Sequence, residues 1–134
     1  MKPVKRIYVC SPYTELKKKS DTHVRHAALG LMRRANTFYE DERVELFSPV
    51  LTNMYQCEHM THDEAMQICF AQLRSCDEIF ISTGMNSMRE IEMVLNSKGI
   101  WMEYKFAKEN GIKVSFADTF MRDIYEKELT DAKA

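Results

Sequence analysis

The sequence predicts an α/β fold, a doubly wound and mostly parallel sheet of four to five strands with helices on both faces. Two observations carry this. Short β-branched and aromatic runs alternate with segments of helical period along the 134 residues, which is the order a parallel sheet with crossover helices requires. Proline, glycine and helix-capping residues also fall at the junctions between those segments. With 45% hydrophobic residues the chain is sized for one compact core, so residues 1–129 are read as a single domain and polar Thr130 to Ala134 as a fraying tail.

Each element has a local reason. Val4 to Cys10 is rich in β-branched and aromatic residues and stops at Ser11-Pro12, where proline ends ladder pairing. From Asp21 to Glu42, Val24, Ala27, Ala28, Leu31, Ala35, Phe38 and Tyr39 recur at three- and four-residue steps, the stripe of a long helix against a sheet. Val44 to Phe47 is a second short strand ending at Ser48-Pro49-Val50, and Leu51 to Met60 shows no period and reads as a loop. Thr61 and Glu64 form a capping box that opens a helix through Ala65, Ile68, Cys69 and Leu73. Asp77 to Thr83 is the third strand, and Met88 to Leu95 is a helix-like piece, either a lid or a packing helix. A turn at Ser97 leads into a helix closed by Ala107 and Gly111, and Ile112 to Phe116 is a fourth strand. Asp118 is placed to cap a terminal helix through Phe120, Ile124 and Leu129. The expected architecture is a flavodoxin-like or Rossmann-like three-layer sandwich, with ligands bound beyond the carboxyl ends of the strands.

Charge and composition narrow the function. Nineteen Lys and Arg against twenty Asp and Glu give a net charge of -1, so no global field favours nucleic acid or an anionic membrane, and any phosphate must be held locally. The sequence shows neither a signal-peptide pattern nor a membrane-length apolar span, which implies a cytoplasmic protein. The four cysteines, Cys10, Cys57, Cys69 and Cys76, contain no Cys-x-x-Cys pair and read as reduced thiols. Without a Gly-x-Gly-x-x-Gly or Walker-type loop, nicotinamide and nucleoside triphosphate chemistry have no support, and no cofactor is expected. Cys57, His59 and His62 have zinc-compatible spacing but lack an evident fourth ligand, so no metal is expected. The run Lys17-Lys18-Lys19, with His23 and Arg25 beyond it, is either a phosphate-attracting edge or a solvated surface. Tyr8, Phe80 and Phe116 read as core aromatics, whereas Tyr13, just past a strand end, can face a sugar or base.

The segment most suggestive of chemistry is Ser97-Lys98-Gly99-Ile100-Trp101-Met102-Glu103, where a small-residue turn delivers a carboxylate into the first turns of a helix. Near a helix start, backbone N–H groups favour an ionised carboxylate. From spacing alone, Glu103 reads equally well as a solvent-facing residue paired with Lys98, Lys105 or Lys108. Together with Ile7-Tyr8-Val9-Cys10-Ser11-Pro12-Tyr13 and Asp63, the pattern resembles the nucleoside 2-deoxyribosyltransferase superfamily, over most of the chain.

That resemblance implies a covalent mechanism at an N-glycosidic bond. Glu103 corresponds to the nucleophile that adds to the anomeric carbon, and Asp63 to the aspartate that assists the departing base. Ser11, Pro12 and Tyr13 correspond to the loop under the sugar and base, and Ser97 and Gly99 to the turn that holds the substrate's 5′ end, with Gly84 in the loop after the third strand. Transferases acting on free nucleosides usually carry an acidic residue where this chain has Ser97. A hydroxyl at a helix start suits a phosphate, so a nucleoside 5′-monophosphate is the favoured substrate, and hydrolysis and base exchange share the first half-reaction. Ser97 as a plain helix cap remains the alternative. The chain departs from the family in the length between Gly84 and Ser97, where Asn86-Ser87 with Glu90 and Glu92 offers a competing register and Arg89 can reach a phosphate if the segment is a lid. The resemblance also implies a homodimer or larger assembly. Alternatives from other classes are a transferase on free nucleosides, a non-catalytic nucleotide sponge or sensor, and an interaction protein using its ten methionines as a docking surface.

Overall fold

The computed structural model describes residues 3–13, 17–18, 20–83 and 88–133. Gly84, Lys19, the Asn86-Ser87 register and the side chains of Arg89 and Glu90 lie outside the described residues. In chain order the elements are β1 (Lys5–Val9), α1 (Asp21–Phe38), β2 (Val44–Phe47), α2 (Pro49–Asn53), α3 (His62–Arg74), β3 (Glu78–Ile81), α4 (Met88–Leu95), α5 (Lys98–Glu109), β4 (Lys113–Phe116) and α6 (Thr119–Lys133). The four strands form one all-parallel sheet in the order β2-β1-β3-β4. Lys5 lies opposite Val44, Ile7 opposite Glu78, and Glu78 opposite Lys113.

Strand alternation assigns the two faces. Ile7, Val9 and Phe80 point toward Leu31, Ala35 and Tyr39, so α1 covers one side. Tyr8, Cys10, Ile79 and Ile81 point to the other side, against Leu73 of α3, Val94 of α4, Ile100 and Tyr104 of α5, and Met121 and Tyr125 of α6. Because both faces are covered, β3 is buried along its whole length, as a central parallel strand should be. Among the described residues no helix is long and apolar enough to cross a membrane.

Local signals largely act as the sequence suggests. Thr61 and Glu64 exchange both bonds of the capping box, and Ser20, which does not stand out in the sequence, caps α1 through the His23 N–H. Gly111 takes φ 69° just past α5, and the Ile112 N–H bonds back to the Ala107 carbonyl at 2.9 Å.

Three details differ. The stretch read as a loop from Leu51 begins inside a short helix, α2, because Ser48 accepts a bond from the Leu51 N–H and Pro49 occupies the first turn, where its missing N–H costs nothing. Helix α1 stops at Phe38, short of Glu42, and Phe38 itself is 45% exposed. The Asp118 carboxylate turns away from the α6 start to take bonds from Arg34, Ser82 and the Thr83 N–H, and only its carbonyl serves the helix.

Replacing Gly111 with alanine should cost about 1 kcal/mol, since an L side chain is strained at positive φ. A lowered denaturation midpoint with unchanged slope is the expected readout.

Candidate functional site

Beyond the carboxyl end of β1 the chain leaves a cleft of about 300 Å³. In the sheet order β2-β1-β3-β4, the connection from β1 runs to one side and the strand on its other side returns through α3, which makes this edge the switch point where doubly wound sheets open a crevice. Ser11 and Tyr13 come from the segment after β1, and Pro49, Val50 and Asn53 from α2. Met66 and Cys69 of α3 and Gly99 and Glu103 of α5 complete the opposite wall.

Glu103 owes its position to the period of α5. Ile100, Glu103, Tyr104 and Ala107 are the buried residues of that helix, spaced three and four apart, so the carboxylate occupies a position on the core stripe and is only 5% exposed. Tyr8, on the α5-facing side of β1, donates its hydroxyl to Glu103 Oε2. The pairing with Lys98, Lys105 or Lys108 does not form: Lys105 instead lies over the Trp101 ring, 5.7 Å from its centroid.

Burial governs the electrostatics here. It pushes the Glu103 carboxyl up from 4.5 to about 7, against the opposing pull of the Tyr8 hydrogen bond. The expectation that a helix start would favour ionisation therefore fails. Glu103 is in the second turn of α5, past the free N–H groups, and desolvation is the larger effect. Burial, and then the neighbouring Glu103, likewise raises the Tyr8 hydroxyl well above its ordinary value. Cys69, beside Glu103 in the cleft, is pushed up to about 11, chiefly by burial, so it is a protonated thiol and not a nucleophile at neutral pH.

The other candidates divide between two neighbouring spaces. Ser11, Tyr13, Ser97 and Gly99 line the cleft with Glu103. Pro12 and Asp63 line an adjoining hollow of about 450 Å³, which shares Tyr13, Thr61, His62 and Ser97 with the cleft. Asp63 is exposed near the start of α3 and does not line the cleft floored by Glu103. Ser97 is an N-cap, its hydroxyl accepting from the Ile100 N–H at 3.3 Å, and it faces both spaces. A Cβ on Gly99 would meet Met66 Sδ at 3.9 Å and Ser97 Oγ at 4.0 Å, ordinary contacts, so protein packing alone does not demand glycine there. Lys17 lines the cleft and pairs with Asp21, whereas His23 bonds Ser20 and Arg25 lies over Tyr55, both outside the cleft lining. Among the described residues no group of three His, Cys, Asp or Glu side chains could hold a metal ion, so Cys57, His59 and His62 do not assemble as one.

Two residues of the candidate site, Tyr8 and Asn53, carry no clear signal in the sequence. Tyr8 was legible only as a core aromatic, although a tyrosine on a fully buried strand needs a partner for its hydroxyl. Asn53 sat in a segment without period. For Glu103 itself a signal was present, since a glutamate in register with Ile100, Tyr104 and Ala107 is out of place on a core stripe.

Compared with models of protein families, with curated proteins and with solved structures, the chain matches none. The fold and the cleft define a doubly wound α/β protein with a buried carboxyl group at the floor of its switch-point crevice.

Glu103 also leaves a signature in stability. Below pH 4.5 the group is protonated in folded and unfolded chains alike. Between 4.5 and about 7 the unfolded chain ionises first, so the folded state binds more protons and stability falls as pH rises. Glu103→Gln should remove this loss and be more stable than the parent at pH 8, by on the order of 2–3 kcal/mol, with the gap closing toward pH 4.5. Melting temperatures of both proteins across that range check the sign.

Proposed function

We propose that this protein cleaves or exchanges the N-glycosidic bond of a nucleoside or deoxynucleoside 5′-monophosphate through a glycosyl-Glu103 intermediate. The observation that carries the proposal is the buried Glu103 carboxyl group, held by the Tyr8 hydroxyl at the floor of a cleft large enough for a sugar and base. The resemblance of the Ser97 to Glu103 segment to the deoxyribosyltransferase nucleophile region supports the choice of reaction.

In this mechanism an ionised Glu103 oxygen forms a bond to the anomeric carbon as the carbon–nitrogen bond breaks. The electron pair leaves with the base, which takes a proton from an acid. Asp63, in the hollow joined to the cleft, is the acid we assign to this step. Water or a second base then attacks the same carbon and frees Glu103. Ser97 and the start of α5 receive the phosphate, with Ser11, Pro12 and Tyr13 beneath the sugar. The enzyme works without a cofactor, in the cytoplasm, as a homodimer or larger assembly, and on a small molecule rather than nucleic acid or membrane.

The purified protein should release free base from members of a panel of 5′-monophosphates, followed by chromatography. Glu103→Gln should abolish release while nucleotide binding persists, and full turnover by that variant would exclude the mechanism. Nucleotide binding without base release by the parent protein would mark a sponge or sensor instead.

Because the attacking group must be ionised, the rate of glycosyl transfer to Glu103 should climb as pH rises through about 7. Tyr8→Phe should slow this step roughly 10- to 100-fold and move its midpoint to higher pH, since the Tyr8 bond lowers the Glu103 value. A pre-steady-state pH profile of both proteins tests this, and an unshifted midpoint would count against the role of Tyr8.

A further inference from the structure

We infer that Asn53, clamped by Gln72, is the residue that reads the heterocyclic base of the nucleotide bound over Glu103. This rests on the proposed function and adds a specificity-determining group to it.

Asn53 ends α2 and is only 4% exposed, yet it lines the cleft. A primary amide in such a position is costly unless bonded. Gln72 of α3 meets the need with two reciprocal bonds, Asn53 Nδ2 donating to Gln72 Oε1 at 2.5 Å and Gln72 Nε2 donating to Asn53 Oδ1 at 2.9 Å. The pair fixes the plane of the Asn53 amide against the rigid α3 helix.

An asparagine amide has two N–H donors and two acceptor sites, and Gln72 uses one of each. Among the described residues the second N–H reaches only the Cys69 sulfur at 4.0 Å, a weak acceptor that itself faces the cleft. One strong donor is therefore held in a fixed orientation with no strong partner among the described residues. Nearby, the Thr61 and Ser97 hydroxyls accept helix-capping bonds and keep rotatable O–H donors, and Lys17 pairs with Asp21, so the Asn53 amide differs from them in its fixed orientation.

The surrounding wall suits a flat ring. Met54, Met60, Met66, Cys57 and Cys69 all line the cleft, presenting polarisable sulfur that packs well against aromatic faces but offers little hydrogen bonding. Sulfur side chains would thus hold the ring by its faces, while Asn53 selects it by its edge. Cys69 touches Asn53 and shares the cleft with Glu103, so a base read by Asn53 stays near the carboxylate that attacks its sugar. The ligand class is an aromatic nitrogen heterocycle that presents a carbonyl oxygen or an unprotonated ring nitrogen to this amide.

The test uses the Glu103→Gln protein, so that binding is measured without turnover. Calorimetric titration with deoxyguanosine and deoxycytidine 5′-monophosphates is compared with ribose 5-phosphate, which has no base. Adding Asn53→Leu together with Gln72→Leu replaces both amides at once, so that neither is left buried and unpaired. Circular dichroism melting checks that this variant folds. Asn53→Asp serves as a near-isosteric second variant that turns the donor into an acceptor. At least one nucleotide should bind about 10- to 100-fold more weakly in both variants, while ribose 5-phosphate binding stays the same. Unchanged nucleotide affinity, or equal weakening of nucleotide and ribose 5-phosphate, would overturn the role of Asn53 and leave the proposed reaction standing. No nucleotide binding by the Glu103→Gln protein with Asn53 intact would overturn both.

Discussion

The contact between Tyr8 and Glu103 joins the core of this protein to its cleft. An unpartnered carboxyl group on the core stripe of α5 would be a heavy burden for a domain of this size, because burial disfavours its charge and a lost hydrogen bond adds to the cost. The tyrosine hydroxyl offsets part of that cost, and it does so from β1, next to the centre of the sheet. The same contact fixes how α5 docks, since Ile100, Tyr104 and Ala107 on either side of Glu103 pack into the larger of the apolar clusters. Site and scaffold therefore share one helix face.

A second buried carboxylate shows that burial alone does not make a site. Glu78 opens β3 and is almost fully enclosed, but Tyr39 and Ser115 both donate to it and Lys113 lies 3.6 Å away. Glu78 does not line the cleft, and through Tyr39, just past α1, and Ser115 it ties α1 and β4 to the central strand. Among the described residues Glu103 has one hydroxyl partner, and it faces open volume. Unsatisfied capacity beside accessible space is the physical difference between them.

Hydrogen bonding around the cleft follows one pattern, in which the protein saturates what holds its frame and leaves spare capacity at the opening. The Thr61 capping box and the Ser97 cap finish their helices. Asn53 and Gln72 satisfy each other and keep one donor facing sulfur. Away from the cleft, the Tyr104 hydroxyl is buried with no partner among the described residues, a cost set against the ring contacts with Trp101, Tyr125 and Phe116.

What the sequence determined by itself was local: the strand runs, the capping box of Thr61 and Glu64, the helix-closing glycine at 111 and the apolar stripe of α1. Each depends on residues within a few positions of one another, whose geometry is set by backbone sterics and helix period. Glu103 was legible as a candidate through the resemblance of its segment to a nucleophile region, whereas its spacing after the turn fitted a solvent-facing residue equally well. Tertiary structure alone decided that β1 lies between β2 and β3, that Tyr8 reaches across 95 positions to Glu103, and that Asn53 pairs with Gln72. It also decided that Glu103 is held near neutrality, because desolvation depends on which helices and strands close around a group. No pattern along one segment encodes that enclosure.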